Sequence, residues 1–156
     1  MQTAFINSPL GITKIVGDEN GIAEISVSSE GDVSTIIPSE LQEAVSQLVD
    51  YFDGKRKDFN FKLNPKGTDF QQKVWQELLN IPFGKTISYL DLSKKLGDVK
   101  AIRAVASANG KNPLWIVVPC HRVIGTDGSL TGYAGGLWRK KWLLEHENPT
   151  NQQSLF

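Results

Sequence analysis

One cysteine, Cys120, and two histidines, His121 and His146, are the whole stock of thiol or imidazole ligands in 156 residues. A lone thiol excludes an intramolecular disulfide and any multi-thiolate zinc site, and so few ligands leave no metal or other cofactor to expect. No apolar run nears the roughly 20 residues that cross a bilayer, and the N-terminus lacks the basic-then-apolar layout of a secretory signal. The expectation is therefore a cytoplasmic monomer with no membrane partner, in a reducing compartment where a thiol stays available. Net charge is also lacking, but the zero is made of opposed halves. Residues 1–54 carry nine acidic groups against Lys14 alone, a net of −8, and residues 55–156 carry sixteen basic against eight acidic groups, a net of +8. Such a split fits a second half that meets a polyanion and a first half that does not, or two domains held together by charge.

The first part reads as β-rich pieces, 3–6, 11–16 and 22–27, broken at Ser8-Pro9-Leu10-Gly11 and Gly17-Asp18-Glu19-Asn20-Gly21, so a three-stranded antiparallel meander is expected. Pro38-Ser39-Glu40 opens a helix with Leu41, Val45, Leu48, Val49 and Phe52 on its inner face, stopped by Asp53-Gly54. Residues 59–63 alternate like a further strand. The division expected is a scaffold domain 1–63, a linker 64–67, a second domain 68–149 and a flexible tail 150–156.

In the second domain Thr68 caps a helix whose apolar stripe is Phe70, Val74, Trp75 and Leu78. Ser88-Tyr89-Leu90-Asp91 has the form of a capping box and opens a short helix to about Lys95, and a second helix runs from about Lys100 to Asn109 after the break at Gly97-Asp98-Val99. Two short helices joined by a tight turn form a helix-turn-helix pattern, one that also recurs by chance. Ala101, Ala104, Ala106 and Ala108 surround Arg103 on the second helix, so small side chains permit close approach to a phosphodiester backbone while one long cation projects. Alanine is also simply a good helix former.

Cys120 sits in Ile116-Val117-Val118-Pro119-Cys120-His121-Arg122-Val123-Ile124, an aliphatic run long enough for a buried extended segment. A cysteine among aliphatics is most often a small hydrophobe. Pro119 before it fixes the backbone, and His121 and Arg122 after it are neighbours of the kind that raise a thiolate fraction, which turns the reading toward a nucleophile. A glycine-rich loop, 125–136, follows with Tyr133 as its one large late side chain, and residues 137–147 read as an amphipathic helix carrying Trp138, Trp142 and Leu144.

The pieces GTDFQQKVW, IPFGKTISY, RAVASANGKNP, VPCHRVIG and GYAGGLWRKKWLLEHE, in this order and spacing, resemble the O6-alkylguanine-DNA alkyltransferases from Gly67 to Glu147. The resemblance implies an α/β two-domain fold, with a small N-terminal ribonuclease-H-like α/β domain and a mainly helical C-terminal winged helix-turn-helix domain. It implies direct-reversal repair of double-stranded DNA: O6-alkylguanine is flipped out and its alkyl group passes irreversibly to Cys120, once per molecule. His121 would draw the thiol proton through a water, Glu147 would orient that histidine, and Asn112 would brace the active-site turn. Tyr89 would crowd the target phosphate and offer its hydroxyl to the guanine, and Arg103 would fill the gap in the duplex. Ala101, Ala104, Lys100 and Arg122 join the DNA-contacting set. Cys120, Val123 and Ala134 would hold the base through their backbones, with Tyr133 as a pocket wall and Trp115 at its approach.

Where some relatives have serine this chain has Ala134, where some have proline it has Trp115, and it lacks the cysteines of the zinc site found in some N-terminal domains. The tail ends Gln152-Gln153-Ser154-Leu155-Phe156, which resembles the short peptide by which bacterial repair proteins dock on the sliding clamp, with Gln152, Leu155 and Phe156 as the contacts. A lesion-binding sensor of the alkyltransferase-like kind is the alternative, although those relatives replace the cysteine. A thiol hydrolase would leave Arg103 and the alanine helix without a role, and a DNA-binding regulator would leave the thiol without one.

Overall fold

The computed structural model describes residues 1–128, 133 and 135–149. They form two compact units, one of Met1–Lys66 with Pro113–Val117, the other of Gly67–Asn112 with the chain from Val118 on. Unit 1 thus includes a five-residue strip that lies far along the sequence. That strip is held by backbone pairing, since Ile25 N donates to Pro113 O at 2.8 Å and Trp115 N to Ile25 O at 3.1 Å.

The first unit is built on the expected meander, β1 (Gln2–Ser8), β2 (Gly11–Asp18) and β3 (Gly21–Ser28), antiparallel in the order β1-β2-β3. Alternation sends Ala4, Ile6, Ile15 and Ile25 into the core. Helix α1 (Gln42–Phe52), entered through a 3-10 turn at Ser39–Leu41, covers them. Its inner face is Leu41, Ala44, Leu48 and Tyr51 with Gln47, whereas Val49, expected inside, is 40% exposed. Gln47 can be buried because its Oε1 accepts from Asn60 N at 3.1 Å, and Tyr51 takes the inner position because its ring meets Phe59 at 5.5 Å. Residues 59–63 do not make the further strand. Only Leu63 bridges to Ile22, with Ile22 N donating to Lys62 O and Asn64 N to Ile22 O, and the apparent alternation of Phe59 and Phe61 serves an aromatic cluster instead.

The second unit holds α2 (Asp69–Leu78), β4 (Ile87–Ser88), α3 (Tyr89–Lys95), α4 (Ile102–Gly110), β5 (Val123–Ile124) and α5 (Leu137–Glu147). Thr68 caps α2 as expected and the reciprocal box is complete, Gln71 N donating to Thr68 Oγ1 and Thr68 N to Gln71 Oε1. At Ser88 the hydroxyl accepts from Asp91 N, which starts α3. Trp75, 3% exposed, locks α2 to α4 by donating from Nε1 to Ala108 O at 2.9 Å. Gly67 is required beside it, because a Cβ there would collide with the Trp75 ring. Strands β4 and β5 pair in parallel, Ile87 with Val123 and Ser88 with Ile124, which sets the start of α3 beside the residues that follow Cys120. Among the described residues no helix is long and apolar enough to cross a membrane.

Candidate active site

The stretch around Cys120 is not extended; it folds through successive tight turns. Val117 N donates to Trp115 O at 2.9 Å around Ile116, whose φ of 73° is the left-handed region a β-branched residue avoids, at a cost of about 1–3 kcal/mol. Cys120 N donates to Val118 O at 2.8 Å around Pro119, at φ −82° and ψ 64°, an inverse γ-turn that the proline ring favours. A 3-10 turn, Cys120–Arg122, follows. The aliphatic side chains are buried as the sequence suggested, but the backbone between them turns, since Val118 O is claimed by Asn112 Nδ2 at 2.7 Å rather than by a neighbouring strand. Asn112 thereby ties the end of α4 to the residues just before the thiol.

Cys120 is 7% exposed, and burial pushes its thiol above the ordinary value of 9.0. Hydrogen bonds involving Asn112 and Tyr133 and the charge of Lys140 work the other way without overcoming burial. The resting group is the thiol, so a base must take its proton when a reaction demands thiolate.

His121 stands ready for that. Its side chain is fully buried and its Nε2 lies 2.8 Å from Glu147 Oε2. Burial alone would raise the Glu147 carboxyl, but the His121 ring and the Arg122 guanidinium outweigh it and hold the carboxyl far below the usual carboxylate range. Arg122 keeps its charge whatever His121 does, so Glu147 remains an acceptor. An ionised acceptor at Nε2 fixes the neutral imidazole as the Nε2–H form and leaves the lone pair on Nδ1. Nδ1 is buried and has no hydrogen-bond partner among the described residues.

Arg122, expected among the DNA contacts, has its guanidinium turned inward: it is 6% exposed, with Nε 2.8 Å from Glu147 Oε1, Nη2 3.0 Å from Oε2 and Nη1 2.6 Å from Ile81 O. A bidentate pairing with a buried carboxylate consumes the fork that a phosphate would need. The end of α5 that carries Glu147 is fixed by Gly84, at φ 80°, where a Cβ would come within 3.2 Å of the Glu147 carbonyl, and by Asn148 Nδ2 donating to Gly84 O at 3.0 Å.

Tyr89, half-buried, opens α3 one residue beyond β4. Its hydroxyl lies 3.3 Å from Asn109 Nδ2, and the same nitrogen is 3.5 Å from Cys120 O. Helix α4 turns Val105, Ala108 and Asn109 inward and leaves Arg103, Ala104 and Ser107 exposed, with Ala101 half-buried at its start and Lys100 exposed before it. No ion pair of Arg103 or Lys100 occurs among the described residues, so both side chains point charge at solvent. Val123 is fully buried on β5. Trp115 belongs to unit 1, where its ring sits 6.3 Å from that of Phe52. Tyr133 is half-buried with Lys140 Nζ 5.9 Å from its ring centroid. Ala134, Gln152, Leu155 and Phe156 lie outside the described residues.

Two residues of this site escaped the sequence reading. Lys140 is fully buried, and burial lowers its ammonium from 10.5 to about 8 against the opposing pull of Cys120. Its spacing of seven from Glu147 on the same helix was the available signal, because seven residues return a helix to the same face. The inner face of α5 is Arg139, Lys140, Leu143, Leu144 and Glu147; of the apolar residues the sequence picked out on this helix, Leu144 is buried and Trp138 is 55% exposed. Asn109 is the other, 3% exposed on the inner side of α4. Among the described residues no group of three or more histidine, cysteine or carboxylate side chains could hold a metal ion.

Residues 69–149 match the family description "6-O-methylguanine DNA methyltransferase, DNA binding domain", and residues 1–65 match "6-O-methylguanine DNA methyltransferase, ribonuclease-like domain". A methylated-DNA--protein-cysteine methyltransferase of Methanosarcina barkeri is 44% identical over 149 residues, covering 91% of this chain and 94% of its own. The crystal structure of Mycobacterium tuberculosis O6-methylguanine methyltransferase superposes with a TM-score of 0.85 at 42% identity, covering 95% of this chain and 93% of that one. A structure of the Mycobacterium tuberculosis protein in complex with DNA gives 0.86 at 40% identity, covering 99% and 95%.

Proposed function

This chain belongs to the 6-O-methylguanine DNA methyltransferase family, and we propose on that premise that it repairs O6-alkylguanine in duplex DNA by moving the alkyl group to Cys120 in one irreversible displacement. The observation that carries the reading is the pairing of a neutral buried thiol with an adjacent histidine whose Nε2 is committed to Glu147 and whose Nδ1 is left as a base. Thiol sulfur attacks the alkyl carbon as its proton passes through a water to His121 Nδ1. Glu147, held ionised by Arg122, stabilises the imidazolium that forms. Lys140 faces the developing thiolate with positive charge, and Asn112 holds the turn that aims it.

The target atom lies inside the base stack, so the nucleotide must rotate out at a cost of roughly a few kcal/mol, least for a damaged and poorly paired base. Tyr89 crowds the phosphate of that nucleotide and gives a proton to the departing guanine. Arg103, exposed on α4, enters the duplex and fills the gap, while Ala101 and Ala104 let the helix approach the minor groove and Lys100 meets the backbone. The backbones of Cys120, Val123 and Ala134 hold the extruded base against Tyr133. One thiol is spent per lesion, so a monomer suffices and the cytoplasm, which keeps the thiol reduced, is its compartment. The tail from Gln152, ending in Leu155 and Phe156, docks on a sliding clamp as two apolar anchors on a polar strand; unchanged clamp binding after deletion of residues 152–156 would remove that part. A sensor that binds lesions without repair has no use for Cys120, His121 and Glu147 together, which disfavours it.

The test is a single-turnover assay on a duplex carrying one O6-methylguanine. Guanine should be restored in the DNA in proportion to the protein added, up to one per molecule, and Cys120→Ala should restore none. Repeated turnover, or restoration by Cys120→Ala, would contradict the reading.

A further inference from the structure

We propose that Asn109 is a positioning residue for the transfer step, one that commits the Tyr89 hydroxyl to donate its proton toward the departing base. The inference rests on the repair reading above and concerns a residue that has no part in the Cys120, His121 and Glu147 set.

The position of the side chain is unusual for a core residue. Asn109 is 3% exposed between the buried face of α4 and the active-site turn, where its neighbours on the helix, Val105 and Ala108, are apolar. Its Oδ1 is buried without a hydrogen-bond partner among the described residues. A buried amide with half of its capacity unmet costs about 1–3 kcal/mol, and an apolar side chain of the same size would fill the place without that cost. Packing alone does not account for an amide at this place.

The orientation of the amide follows from its surroundings. The nearer end of the side chain lies 3.5 Å from Cys120 O, which can only accept. Turning the amide over would set Oδ1 against that carbonyl, two acceptors face to face, so the nitrogen must be the atom that points there. That nitrogen is also 3.3 Å from the Tyr89 oxygen, and it has only protons to give. Tyr89 therefore accepts from Asn109, and what its hydroxyl offers to a base in the pocket is its own proton.

The chemistry needs such a donor. As the sulfur–carbon bond forms and the carbon–O6 bond breaks, the bonding pair stays on guanine as an anion. Tyr89 gives that anion a proton and is reprotonated from solvent, while the thiol proton leaves through His121, so charge and protons balance. An N–H directed at the phenolic oxygen stabilises the phenolate character that develops during donation.

Asn109→Leu keeps the volume and removes the donor; Asn109→Asp keeps the shape but offers only acceptors, so it would draw the Tyr89 proton toward itself. Each is measured alone and in a Tyr89→Phe background, reading the transfer rate constant on saturating O6-methylguanine duplex, with DNA affinity and melting temperature recorded separately. The expected result is a rate about tenfold lower for Asn109→Leu, the worth of one neutral hydrogen bond, with DNA affinity unchanged. Asn109→Asp should be slower still, and Asn109→Leu should not slow Tyr89→Phe further. A wild-type rate in Asn109→Leu, or an equal loss with and without the Tyr89 hydroxyl, would overturn the proposal and leave the repair reading intact. Absence of transfer by the wild-type protein would overturn both.

Discussion

His121 Nε2 and Glu147 Oε2 meet at 2.8 Å across 26 residues of sequence, with side chains 0% and 1% exposed. A contact of this kind is held for chemistry more than for stability, because burying two ionisable groups costs several kcal/mol before their attraction returns it. What it secures here is a tautomer: a proton on Nε2 and a lone pair on Nδ1, beside a thiol that burial keeps protonated.

Glu147→Gln retains the shape of the side chain and removes its charge, so His121 loses the partner that stabilises it as imidazolium. The transfer rate constant should fall about 10²-fold while affinity for duplex DNA is maintained, as read by rapid quench and by titration under the same conditions. Equal losses in rate and affinity would contradict a role confined to the base.

Acid should weaken the fold through the same carboxylate. Glu147 has its folded value depressed below the ordinary 4.5, so it contributes stability that is present above about pH 4.5 and lost as the pH falls from there toward its folded value. Denaturant midpoints should drop between pH 5 and pH 3 in the wild type. The drop should be smaller in the double variant Arg122→Met with Glu147→Gln, which carries neither charge.

Lys140 titrates in the opposite region. Its folded value of about 8 lies below the ordinary 10.5, so between those values the unfolded chain binds more protons and stability rises with pH. Lys140→Met should abolish that rise and stabilise the protein at pH 7 by up to roughly 3 kcal/mol, the free-energy equivalent of the shift. It should also slow alkylation of Cys120 by a small electrophile, because the thiolate loses the Lys140 charge that favours it. Faster alkylation in the variant would refute the electrostatic link.

Arg103→Ala separates extrusion from chemistry. The side chain is exposed on α4 and far in sequence from the thiol, so its loss should slow repair of duplex by at least about tenfold while repair of the same lesion in single-stranded DNA is unaffected. Parallel single-turnover assays on the two substrates read this directly.

How much of this was legible in the sequence depended on the kind of signal each residue carried. The meander, the cap at Thr68 and the helix-turn-helix pair were readable because turn chemistry and capping are local. Tyr51 and Gln47 were not, because the inner face of α1 was settled by Phe59 and Asn60, which lie beyond the helix. Phe59 to Leu63 alternated like a strand without finding a ladder, since aromatic packing produces the same pattern. The turns at Ile116 and Pro119 were hidden in an aliphatic run, where burial is evident but backbone direction is not. Arg122 stood among the expected DNA contacts and beside the thiol, and only the fold could show that Glu147, 25 residues on, pairs with its guanidinium. Lys140 gave no signal of burial, because a lysine in a run of basic residues reads as solvated, and only the fold turns it onto the inner face of α5.

Repair by this protein requires that Cys120 itself receive the alkyl group. Intact-mass measurement of the protein after incubation with a duplex bearing one O6-methylguanine tests it most directly, with Cys120→Ala alongside. The native protein should gain one methylene, mapped to the peptide containing Cys120, and the variant none. Tight binding of the lesion with no change in mass would contradict it.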